Sequence, residues 1–117
     1  MTITKLEKPD WSAFFERASR ILLGQRTDIE IVSHAFGNQF GAAGLPLMGI
    51  VYDPGNEIIE VILDGFDHIV YRPSLVYFDE GPGLQMALQI IADDGVSRII
   101  RMRDPLMLPR FDTSALI

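Results

Sequence analysis

The chain has 117 residues, a length typical of one domain, and a formal net charge of −6 from 16 acidic and 10 basic residues. It contains no cysteine, which excludes disulfides, thiolate catalysis and cysteine-ligated metal centres. An acidic surface repels phosphate groups, so we expect neither nucleic-acid nor membrane binding. Because no run approaches the roughly 18 apolar residues of a membrane span and no apolar signal core precedes Trp11, we expect a cytoplasmic protein.

One amphipathic helix is predicted near the start of the chain, over residues 10–23. Its apolar side chains recur at helical spacing: Trp11, Phe14, Phe15, Ala18, Ile21 and Leu22. Asp10 is a candidate N-cap, and Gly24 can end the helix in the left-handed conformation. We expect the apolar stripe to pack on a sheet.

After Gly24 the periodicity changes to that of extended strands. Strands are predicted over residues 28–35, 45–52, 57–63, 74–78, 84–92 and 96–103. Two of them, 45–52 and 57–63, are apolar on both faces, which is typical of strands covered from both sides. Turn residues at 53–56 and 93–95 join neighbouring strands.

Two connecting segments are harder to interpret. Residues 36–44 are rich in glycine and are predicted to form the longest connection. Residues 64–71 could form a short strand or a helical turn, and we favour the strand. The turns are too short for parallel crossovers. We therefore predict a single α+β domain, 1–117, with one N-terminal helix on an antiparallel sheet of five or six strands over 28–103, open or curled into a small barrel.

The pair Asp67-His68 is the first candidate for chemistry, because a carboxylate can tune an imidazole base. Neighbours in a strand point to opposite faces, however, and the sequence has no nucleophile elbow. The two histidines do not match a metal-binding spacing, and no calcium loop is present. We assign no catalytic residue, metal site or cofactor, and an enzyme using His68 as acid or base is the least favoured hypothesis.

A set of basic side chains forms the second candidate. In an extended strand Arg101 and Arg103 share one face, and Arg98 lies on the other. Together with His68 and Arg72, the pair Arg101 and Arg103 could line a cleft for a small anionic ligand, since guanidinium groups bind carboxylate and phosphate. Cross-strand pairing of these arginines with the many acids is the simpler interpretation.

The end of the chain, 104–117, is predicted to be an extended tail. Its prolines forbid a helix, and Leu106, Met107 and Leu108 form an apolar cluster between them. Such a segment should lie in an apolar groove, either of its own chain or of a second copy.

With these segments placed, the sequence resembles a family of small bacterial proteins catalogued only as a domain of unknown function. The resemblance rests on residues 11–19 of the helix, 45–50 and 52–54 at the second strand, 65–69, 79–82 and 101–109. The last of these, Arg-Met-Arg-Asp-Pro-Leu-Met-Leu-Pro, is the most specific. The resemblance implies no activity, cofactor or catalytic residue.

The apolar content, the tail and the lack of a catalytic constellation favour a non-enzymatic interaction or assembly module. A sheet edge needs a cover, and a symmetric copy is a common one, so we expect self-association or another protein partner. A domain that binds a small anionic ligand is the alternative.

Overall fold

The structure is a computed structural model, and it describes residues 2–80 and 85–104. A 3-10 turn (Lys8–Asp10) leads into the helix α1 (Trp11–Ile21). The strands are β1 (Thr2–Leu6), β2 (Arg26–Ser33), β3 (Gly37–Asp53), β4 (Ile58–Leu63), β5 (Phe66–Tyr71), β6 (Pro73–Glu80), β7 (Met86–Ala92) and β8 (Ser97–Met102). The predicted class is confirmed: one short helix accompanies a large antiparallel sheet.

In the part of the chain that the structure describes, the sheet has eight strands in the order β1-β6-β7-β8-β2-β3-β4-β5, and every neighbouring pair is antiparallel. The predicted number of five or six was too low. One reason is that β1 was not predicted, because the charged residues and Pro9 in this part of the chain do not indicate a strand. In the described residues the sheet is not closed, since β1 and β5 are its two edges, so of the two predicted alternatives it forms the open sheet and not the barrel.

Strand β3 is much longer than the segment 45–52 that the sequence indicated. The glycine-rich segment 36–44, predicted as a connection, forms most of its first half and pairs with β2. The second half pairs instead with β4. Between the halves Gly44 has φ +70, a conformation that glycine adopts without strain. The glycines therefore allow one strand to bend between two parts of a curved sheet.

Residues 66–71 form β5, so the strand interpretation of this segment is confirmed. Only Arg72 separates β5 from β6, and its φ of +49 makes a sharp corner. The backbone N–H of Arg72 donates to the carbonyl of Glu57, and its carbonyl accepts from Asp93. This corner folds one edge of the sheet toward the β7–β8 hairpin.

The helix packs against β3, and the core lies between them and the curved sheet. The predicted stripe is buried at Trp11, Phe14, Phe15, Ala18 and Leu22, which are all at most 1% exposed. Two details differ from prediction. Ile21, the last residue of α1, is exposed although Leu22 after it is buried, and Asp10 makes no side-chain cap, because it belongs to the preceding 3-10 turn.

Candidate functional site

His68 lies on the core-facing side of β5, where strand pairing sets it opposite the buried Val61. Its side chain is half-buried and stacks on Phe66, with ring centroids 6.4 Å apart. Its Nε2 atom is buried and has no hydrogen-bond partner among the described residues. Asp67, the next residue along the strand, points to the opposite face. Within the described part of the chain His68 contacts no carboxylate, and nothing there gives it the partner that an acid or base would need.

The three arginines expected beside His68 each bind an acid elsewhere. Arg101 donates to Glu30 at 2.6 Å, Arg103 contacts Asp28 at 2.8 Å, and Arg72 contacts Asp93 at 3.1 Å.

Arg101 alternates with the buried Ile100 and Met102, so it lies on the outer face of the sheet, away from His68. The structure therefore does not bring Arg101 to His68.

Arg103 has a structural position at the bend of β3. Asp28 accepts hydrogen bonds from the Arg103 guanidinium and from the backbone N–H of Gly44. Burial raises the pKa of Asp28, but these hydrogen bonds outweigh it and hold the pKa below its usual value. A Cβ added at Gly44 would lie 2.8 Å from Arg103 Nη1, so the arginine packs directly over the bend.

Arg98 is the basic residue that the structure does bring toward His68. It shares the core-facing side of β8 with Ile100, and strand pairing sets it between Ile31 and Ile90. Its Nε atom is buried and has no hydrogen-bond partner among the described residues. Burial lowers the pKa of His68 below its ordinary value of 6.5, and the positive charge of Arg98 lowers it further. Strand alternation predicted the face of Arg98, but not the nearby histidine on a strand distant in sequence.

This environment predicts a pH effect. Folding lowers the pKa of His68, so below about pH 6.5 the unfolded chain binds its proton more readily than the folded chain. The stability linked to His68 is therefore complete above this pH and decreases as the pH falls through it. We expect wild type to lose more unfolding free energy than His68→Phe between about pH 7 and pH 5.5.

Urea unfolding of both proteins at several pH values measures this difference. His34→Phe is the control, because His34 is exposed on the β2–β3 connection, and it should follow wild type. Equal losses in wild type and His68→Phe would contradict the assignment of a buried, unpaired imidazole.

A second candidate surface lies on the side of β3, β4 and β5 that points away from the core. We call it the β3–β5 outer face; strand pairing defines its members as Val51, Ile58, Glu60, Ile62, Asp67, Ile69 and Tyr71. Val51 is 49% exposed and Tyr71 is 65% exposed. The sequence suggested that these strands are covered from both sides, but the structure leaves large apolar side chains exposed on this one.

A groove of about 410 Å³ runs between α1 and β3 beside this face. Val51 lines this groove, and within the sheet it is paired with Glu60 of the neighbouring strand β4. Arg20, on the helix side, is exposed and contacts Glu16 at 3.0 Å. On the sheet side, Glu60 and Asp67 form no ion pair with any described residue. The surface thus has a cationic group on the helix and, on the sheet, two acids that no described residue pairs.

Other predicted features lie partly outside the described residues. The tail residues Leu106, Met107 and Leu108 are outside them. No group of three or more histidine, aspartate or glutamate side chains in the described ranges could hold a metal ion. In the same ranges, no helix has the length and apolar character that crossing a membrane requires.

Comparison with known proteins places the chain in a family but supplies no activity. An uncharacterized protein of Aquifex aeolicus (strain VF5) is 26% identical over 110 residues, which cover 93% of this chain and 99% of the relative. The crystal structure of Bacillus subtilis YojF protein is similar with a TM-score of 0.47 and 8% identity, over 92% of this chain and 100% of that one. A similarity at this level is not evidence of a shared function. The model of a family of unknown function, DUF5335, matches residues 2–111, and the chain belongs to that family.

Proposed function

We propose that the protein is a non-enzymatic assembly module of the bacterial cytoplasm that associates with a second copy through the β3–β5 outer face. The observation that carries this proposal is the exposure of apolar side chains on strands whose other side already forms the core. Met48, the bulged residue of β3, is 53% exposed and enlarges the apolar surface. Removing such a surface from water is the main driving force of association.

Charge and geometry favour a second copy as the partner. Val51 lies between α1 and β4, so a two-fold axis near Val51 would set the helix of one copy against β4 and β5 of the other. Arg20 of each copy would then approach the unpaired Glu60 and Asp67 of its partner. An interface of this kind is self-complementary, as two-fold symmetry requires. The tail residues 105–117 are the competing source of an interface.

Val51→Lys is expected to convert the dimer into a monomer. The substitution introduces a charge at the centre of the proposed interface, but a lysine there can pair across the strands with Glu60, so the fold should tolerate it. Molar mass from light scattering measures the change, and circular dichroism checks the fold.

Phe40→Lys is the matched control. Phe40 is 69% exposed on the first half of β3 and pairs with Glu30, away from the proposed interface. This variant should keep the mass of wild type. A chain ending at Asp104 tests the tail. If truncation produces a monomer while Val51→Lys stays dimeric, the tail and not the β3–β5 outer face forms the interface, and the proposal is wrong.

A further inference from the structure

Two buried nitrogen atoms that have no hydrogen-bond partner among the described residues lie on the core-facing side of the curved sheet. They are Nε of Arg98 on β8 and Nε2 of His68 on β5. The sheet order separates these strands by three others, but the curved sheet brings β5 into contact with β7, the strand whose Ile90 is paired with Arg98. The contacts between β5 and β7 and the corner at Arg72 show where the sheet folds over.

This arrangement is costly for a purely structural site. A buried donor that lacks an acceptor costs free energy, and at Arg98 this cost falls on Nε, since the residue as a whole is half-buried. Within residues 2–80 and 85–104, the hydrogen bond that Arg98 makes is a weak one, from Nη1 to the carbonyl of Val96 at 3.4 Å. The outer-face arginines of the same region, Arg101 and Arg103, each have an acid partner. Arg98, on the inner side of the same stretch of chain, has no acid partner among the described residues.

We propose that Arg98 and His68 form a binding site for a small oxyanion, a carboxylate or phosphate group. The guanidinium would donate from Nε and one Nη to two oxygens, and the imidazole would donate from Nε2 to the same group. Phe66 stacks on the imidazole and limits its rotation. The ligand site expected from the sequence contained His68, and the proposed site retains it. Arg98 takes the place of Arg72, Arg101 and Arg103, which are each paired with an acid.

Binding should be coupled to protonation. In the empty site, burial and the charge of Arg98 favour neutral His68. A bound anion supplies the opposite charge, so it should raise the pKa of His68 and bind more tightly as the pH falls toward 6. In the described residues, the charged group that acts on His68 is Arg98, and no carboxylate there acts on the imidazole.

Nitrogen-15 NMR of the full chain tests the site directly, with inorganic phosphate and acetate as separate probes and chloride at matched ionic strength as the reference. We expect the Arg98 Nε–Hε signal to move saturably with at least one probe, and the Arg101 Nε–Hε signal to remain in place. The probe that acts distinguishes a phosphate from a carboxylate site. If neither probe moves the Arg98 signal beyond the chloride reference, the proposal is wrong.

Arg98→Met and Arg101→Met separate this site from general electrostatics. Methionine suits the apolar surroundings of Arg98, between Ile31 and Ile90, so this variant should fold with an unchanged or higher Tm. It should weaken anion binding at least about tenfold, whereas Arg101→Met should bind as wild type does. Equal weakening in both variants, or a lower Tm with unchanged binding in Arg98→Met, would contradict the proposal. Neither result changes the molar mass expected for Val51→Lys, so the anion site and the proposed dimer are tested separately.

Discussion

Replacing Trp11 by alanine is expected to lower the free energy of unfolding by about 3–5 kcal/mol. Trp11 is 1% exposed at the start of α1 and connects three elements. Its indole N–H donates to the carbonyl of Leu6 in β1 at 3.0 Å, and its ring packs edge-on against Tyr52 of β3 at 5.1 Å. A loss of this size is a large part of the roughly 5–15 kcal/mol that stabilises a small domain.

Urea unfolding followed by circular dichroism measures this effect. Trp11→Phe is the control, because phenylalanine keeps an aromatic ring in the core and loses the donor to Leu6 together with a small part of the ring volume. It should cost about 1–2 kcal/mol. If Trp11→Ala costs no more than Trp11→Phe, the indole ring does not hold β1, α1 and β3 together as described.

Replacing Ser19 by alanine is expected to cost about 2–3 kcal/mol, a large effect for the loss of one oxygen atom. Ser19 Oγ accepts from the backbone N–H of Ile50 at 2.8 Å and lies 3.0 Å from its carbonyl oxygen. A second acceptor, the Phe15 carbonyl, lies at 2.7 Å. Strand β2 pairs with β3 only as far as Pro46. Beside Ile50, the hydroxyl of Ser19 therefore supplies the hydrogen bonding that a neighbouring strand would supply. Alanine would leave the N–H of Ile50 without its acceptor and would remove the single hydroxyl proton that the carbonyls of Phe15 and Ile50 both face.

The matched control for Ser19 is Ser12→Ala on the exposed part of the same helix. It should change stability by no more than about 0.5 kcal/mol. Unfolding free energies of the two variants in one buffer give the comparison. A Ser19→Ala cost as small as that of Ser12→Ala would show that water replaces the hydroxyl at the edge of β3.

The helix and most of the hairpins could be predicted because their signals are local. The stripe from Trp11 to Leu22 has helical spacing, and the turn at 53–56 is held by Asp53, whose carboxylate accepts from Gly55 and Asn56. The first half of β3 could not be predicted, because glycine has low strand propensity and only pairing with β2 orders it. Strand order follows from long-range pairing and was not visible in the sequence.

The candidate sites were predicted only in part. Alternation placed Arg98 and Arg101 on opposite faces, but nothing local indicated which of them approaches His68 across the curved sheet. Ser19 carried a weak signal that was missed: it is a small polar residue four positions after Phe15, next to a buried stripe. The β3–β5 outer face was visible as strands apolar on both sides, although the sequence could not say which side stays uncovered.

The molar mass of the wild-type chain in solution tests the central claim most directly. Light scattering should cover about two decades of concentration at low and high salt. The assembly proposal predicts twice the 13.1 kDa of one chain, persisting on dilution and at high salt, because salt screens repulsion between two copies of charge −6 and leaves apolar contact intact. A mass of 13.1 kDa under every condition would contradict it.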